Sequence, residues 1–118
     1  GGAWRANDRD LVGPEAIRYF EKFHATHAVV GAGGLNPTSG ALDFSYGEAL
    51  ITNAILQNSR TRYLVADASK WLGTAAVRVA PFSEFTHFVT DHMPPEHKNA
   101  ESLTQSGVHV ILCGSPQP

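Results

Sequence analysis

The sequence predicts an α/β domain built on a mostly parallel sheet flanked by helices. Three observations carry that prediction. Short apolar or β-branched runs recur along the chain, several of them continuous rather than alternating, as in strands buried on both faces. Segments with helical periodicity lie between those runs. The 118 residues, 42% of them hydrophobic, make about one domain with a single core.

Five runs read as strands: His27–Val30, Tyr63–Ala66, Ala75–Val79, His87–Thr90 and Val108–Leu112. The first predicted helix spans Pro14 to Phe23, with proline at a first helical position and Ile17, Phe20 and Phe23 on one face. A second, Tyr46 to Asn58, carries a stripe of Leu50, Ala54 and Ile55 with Ile51 beside it. The third, Pro95 to Ser106, is more polar and stops at Gly107. No internal linker divides the chain, and residues 114–118 read as a flexible tail.

Composition excludes several classes. A charged fraction of 17% with net charge −2 does not fit disorder. Apolar runs of five or six residues are too short for a transmembrane helix, so no membrane partner is expected. One cysteine, Cys113, excludes an internal disulfide framework and suits a cytoplasmic location. It sits beside no evident base and reads as a bystander thiol. Nine Lys and Arg against eleven Asp and Glu, with no basic cluster, argue against nucleic-acid binding by this chain itself. The six histidines show no metal-ligand spacing, so neither metal nor cofactor is expected.

Two clusters carry candidate chemistry. Gly31-Ala32-Gly33-Gly34-Leu35-Asn36 follows a strand, but the sixth position is Asn36, and Pro37-Thr38-Ser39-Gly40 prevents an immediate helix. It fails as a dinucleotide fingerprint and reads as a turn-rich loop. Its place at a strand's carboxyl end nevertheless suits a pocket wall, with Gly31, Gly33 and Gly34 as lining candidates. The second cluster is Asp67-Ala68-Ser69-Lys70, also after a strand. Lys70 and Ser69 can hold a phosphate while Asp67 accepts from sugar hydroxyls. A capped turn, with Asp67 or Ser69 accepting backbone N–H groups and Lys70 solvated, explains the same residues equally well. Asp91 repeats the strand-then-acid pattern, either capping the next segment or facing the same pocket. Glu48, early in the second helix, is a weaker ligand candidate, because the helix dipole alone favours an acid there.

The ordered set Gly1-Gly2-x-x-Arg5, Leu11-Val12-Gly13-Pro14-Glu15-Ala16, Gly31-x-x-Gly34-Leu35-Asn36 with Gly40, Glu48, Asp67-Ala68-Ser69-Lys70 and Val89-Thr90-Asp91 resembles the C-terminal sensor domain of DeoR-family bacterial transcriptional regulators. The resemblance runs from the first residue to about Leu112. It implies a fold similar to ribose-phosphate isomerases, glucosamine-phosphate deaminases and CoA transferases. It also implies a phosphorylated sugar effector, bordered by Gly31 to Gly34, Asp67 and Lys70, that modulates DNA binding by an N-terminal helix-turn-helix. No such DNA-binding segment is present in these residues, and DNA is expected as a partner only through it. Residues 1–113 are accordingly expected to form a partial sensor domain. The family's small-residue and threonine phosphate loop lies upstream of its Gly-Gly-x-x-Arg segment, where this chain begins. The chain thus reads as a regulator fragment truncated on its N-terminal side, with a sheet edge able to pair in a homo-oligomer. A competing reading is an isomerase- or CoA-transferase-like enzyme fragment, with Glu48 or Asp67 as general base. It requires a carboxylate of raised pKa with a second acid converging on it. A third reading is a domain that mainly supplies an oligomerisation surface.

Overall fold

Among the described residues, apolar runs separated by helical or turn-rich segments give seven strands in two sheets of different character. The computed structural model describes Arg18, residues 24–94 and residues 96–113. The predicted Pro14–Phe23 helix and the 114–118 tail lie outside the described residues, apart from Arg18. Strands β1 (Ala25–Val30), β4 (Ser59–Val65), β6 (His87–Thr90) and β7 (His109–Leu112) form a four-stranded sheet in the order β1-β4-β6-β7. All three of its pairings are parallel, which answers the predicted sheet type. Strands β2 (Gly34–Asn36), β3 (Gly40–Asp43) and β5 (Val77–Ala80) form a smaller antiparallel sheet in the order β2-β3-β5.

The second sheet corrects two expectations. The glycine-rich stretch read as a loop folds as a hairpin, β2 to β3. Asn36 Oδ1 accepts from the backbone N–H groups of Thr38 and Ser39, each at 2.8 Å, and so organises its turn. Gly40 closes the turn at φ +88°; a Cβ there would lie 2.3 Å from the Ala80 carbonyl oxygen, so only glycine fits. The run predicted as a strand at Ala75–Val79 forms β5 two residues later and joins this antiparallel sheet, because its free edge pairs with β3.

Helix α1 (Tyr46–Gln57) begins where Ser45 Oγ accepts from Glu48 N, with the Glu48 carboxylate in the first turn. It buries Ala49, Ile51, Ala54 and Leu56, whereas Leu50 of the predicted stripe is exposed. The helix spans both sheets, packing on β3 and β5 as well as β1 and β4, so its buried face is wider than one stripe and turned from the predicted one. Asn53 Nδ2 donates to the Val79 carbonyl at 3.1 Å and ties the helix to β5. Helix α2 (His97–Gln105) is shorter than predicted at both ends; it buries Leu103 and stops before Gly107, at φ +90°.

One core unites these elements. Leu64 of β4 and Phe88 of β6 pair across the parallel sheet at 0% exposure, covered by Leu56 and Leu103 from the two helices. Burying each such side chain stabilises by roughly 1.5–3 kcal/mol. The opposite face of the same strands carries His27, Val29, Tyr63, Val65, His87, Val89, His109 and Ile111, none of them in the core. There Tyr63 stacks on His87 at 4.5 Å between ring centroids. At the amino end of the sheet, Arg62 donates to the carbonyls of Glu84 and Ser59, and its backbone N–H donates to Thr86 Oγ1. These bonds tie β4 to the segment that leads into β6; the carboxyl end is open.

Candidate functional site

At the carboxyl ends of the four parallel strands lies an open pocket of about 420 Å³. Gly31 and Ala32 follow β1, Ala66, Asp67 and Lys70 follow β4, Asp91 follows β6 and Cys113 follows β7; all line it, with Val65, Val89 and Thr90 at the strand ends. Hydrogen bonding continues past the strands and fixes these loops. Ala66 N donates to the Val89 carbonyl at 3.1 Å, and Cys113 N to the Thr90 carbonyl at 2.9 Å. In open α/β sheets this end is where ligands sit.

The Asp67-Ala68-Ser69-Lys70 cluster is both a capped turn and a pocket wall. Asp67 caps a short 3₁₀ helix (Ala68–Leu72): its Oδ1 accepts from Ser69 N at 2.8 Å and from Ser69 Oγ. Asp91 Oδ1 accepts from Ala68 N at 2.8 Å, so the loop after β6 anchors the turn that carries Lys70. The hydrogen bond from the Ser69 hydroxyl, then that from its N–H, holds the Asp67 carboxyl below the usual carboxylate range, with Lys70 adding to the effect. Asp91 is lowered chiefly by the Ala68 N–H. Both acids are therefore anionic at neutral pH. Lys70, half-buried, forms no ion pair with the described residues and supplies the cationic donor of this wall.

The candidate residues divide accordingly. Asp67, Lys70 and Gly31 meet at the pocket, joined by Asp91. Ser69 is spent on Asp67 and lies outside the lining. Gly33 and Gly34 also lie outside it, in the hairpin packed on Phe44 and Ala75. Glu48 is exposed in the first turn of α1, away from the lining. Sequence reasoning missed Thr90 and the pocket position of Cys113; the strand-then-residue pattern that singled out Asp91 applies to Cys113 after β7 as well. A general base working near neutrality needs a raised pKa, and the two pocket carboxylates are shifted the other way. The wall offers acceptors for ligand hydroxyls and a donor for an anionic oxygen, a binding surface. Among the described residues no group of three or more His, Cys, Asp or Glu is arranged to hold a metal ion, and no helix is long and apolar enough to cross a membrane.

The model of the DeoR C terminal sensor domain matches residues 1–92. The chain belongs to that family. The DeoR sensor domain is similar over nearly all its length to named regulators. It is 28% identical over 112 residues to the HTH-type transcriptional repressor CsqR of Escherichia coli, covering 95% of this chain and 42% of that protein. It is 29% identical over 113 residues to the glycerol-3-phosphate regulon repressor of Escherichia coli, covering 96% and 44%. The HTH-type transcriptional regulator GlpR of Haloferax volcanii is 28% identical over 111 residues, covering 94% and 43%. The DeoR sensor domain thus spans less than half the length of these curated relatives. Family and relatives alike are regulatory rather than enzymatic.

Proposed function

We propose that this DeoR sensor domain binds a small phosphorylated sugar or polyol, and that binding alters operator affinity through a helix-turn-helix elsewhere in the full-length protein. The supporting observation is the convergence of Asp67, Asp91 and Lys70 at the carboxyl end of the parallel sheet. The carboxylates accept from effector hydroxyls and Lys70 pairs with the phosphate. Two fixed anions beside one cation suit a ligand rich in hydroxyls and poor in charge, a monophosphate rather than a bisphosphate. An effector shifts the DNA equilibrium only through unequal affinity for the two regulator states, so the turn carrying Lys70 is where that difference arises. In this reading the regulator works in the cytoplasm, as a homo-oligomer, since paired subunits match paired operator half-sites.

Isothermal titration of the full-length protein against sugar and polyol monophosphates, sn-glycerol 3-phosphate included, tests the reading. Lys70→Ala removes a charge-assisted contact and is expected to weaken binding by about ten- to a hundredfold. Asp67→Ala weakens it as well. Unchanged affinity in both variants would falsify the site.

A further inference from the structure

Among the described residues, two buried side-chain polar atoms lack a hydrogen-bond partner: Trp71 Nε1 and Thr90 Oγ1. Trp71 lies among aromatic rings, 5.8 Å from Phe82 and 6.3 Å from Phe88 between centroids, outside the pocket lining. Thr90 ends β6 and is 2% exposed, yet it lines the pocket, as do Val89 and Asp91 on either side. A buried hydroxyl with no partner carries its full desolvation cost, which a valine of the same shape avoids.

We propose that Thr90 is an effector-contact residue whose hydroxyl donates to an oxygen of the bound ligand. This inference rests on the effector-pocket reading above. A step between staggered χ1 rotamers redirects a threonine hydroxyl without moving the backbone. The Thr90 backbone is itself held, its carbonyl accepting from Cys113 N at 2.9 Å. The charge balance of the wall gives the hydroxyl its purpose. Asp67 and Asp91 accept only, while a phosphorylated polyol presents more acceptor oxygens than the Lys70 ammonium alone can serve. Thr90 adds a donor without adding charge. At a position as buried as Thr90 the bond is strengthened, and a ligand lacking the matching oxygen leaves the hydroxyl stranded. Thr90 is thereby a determinant of specificity, distinguishing ligands by the presence of one oxygen.

The test uses Thr90→Val, Thr90→Ser and Lys70→Ala in the full-length protein. Each is titrated calorimetrically with sn-glycerol 3-phosphate, D-glucose 6-phosphate and D-fructose 6-phosphate, with thermal unfolding measured in parallel. Thr90→Val is expected to weaken the tightest probe by about three- to tenfold while its unfolding midpoint equals or exceeds the parent's. Thr90→Ser, which keeps the hydroxyl, retains parental affinity. If Lys70→Ala weakens binding and Thr90→Val does not, the Thr90 contact is overturned and the pocket reading stands. If Thr90→Val weakens binding and Lys70→Ala does not, the Lys70 assignment fails and the Thr90 contact stands. A lowered unfolding midpoint in Thr90→Val assigns the hydroxyl to structure and overturns the contact. Absence of binding to all three probes by the parent protein overturns both.

Discussion

Leu64 and Phe88 lie side by side on one face of the parallel sheet; Tyr63 and His87, each one residue earlier, lie side by side on the other. The first pair is 0% exposed beneath two helices. The second is only partly covered, and Val29 and Val65 on the same face are 69% and 44% exposed. Hydrophobic composition is thus no guide to environment here, since both faces carry apolar residues and among the described residues the helices cover one. Parallel sheets are ordinarily covered on both faces. The lesson is that the apolar runs report what the strands can bury, while the helices decide what they do bury.

The largest effect is expected on the covered face. Phe88→Ala removes a ring packed against Phe82 and Trp71 and should cost about 3–5 kcal/mol in urea unfolding. A loss under about 1 kcal/mol would break the distinction between the faces. The carboxyl end of the same sheet comes next. Asp67 and Asp91 are lowered in the folded chain, so the unfolded chain binds their protons more readily. Their contribution is complete above about pH 5 and is lost progressively as pH falls through the unfolded value and then the lowered ones. Thermal midpoints followed from pH 6 downward should fall less steeply in Asp67→Asn and Asp91→Asn, whereas Phe88→Ala should keep the parental slope from a lower start. The smallest effect belongs to the open face. Val29→Ser should change stability by less than about 0.5 kcal/mol. A cost above about 1.5 kcal/mol in the full-length protein would show that this face is covered there.

The four strands of the parallel sheet and both described helices were legible because continuous β-branched runs and helical spacing survive in the primary structure. The hairpin was not. Its strands are three and four residues long and flank Pro37-Thr38-Ser39, so turn chemistry outweighs periodicity. The shift of β5 from Ala75–Val79 to Val77–Ala80 has a similar cause, since a short apolar run does not say which edge it will pair with. Asp67 and Lys70 were legible as acid and base after a strand. That the Ser69 hydroxyl belongs to Asp67 depends on the rotamers of a capped turn, which spacing does not encode. Thr90 was hidden for another reason. A threonine in a strand looks like any β-branched residue until its hydroxyl is found without a partner.

The order β1-β4-β6-β7 has a kinetic consequence. Val29 meets Tyr63, Tyr63 meets His87 and His87 meets His109, partners thirty-four, twenty-four and twenty-two residues apart along the chain. No strand of that sheet can pair before a long loop closes, and closure entropy must be met before any contact rewards it. Among the described strands only β2 and β3, with Gly34 opposite Leu42, pair locally. Hairpins of this kind form in roughly microseconds, so β2 and β3 are expected to pair before the sheet that carries the pocket, whose longer closures are slower. The strand ends that line the pocket are thus expected to come together late in folding.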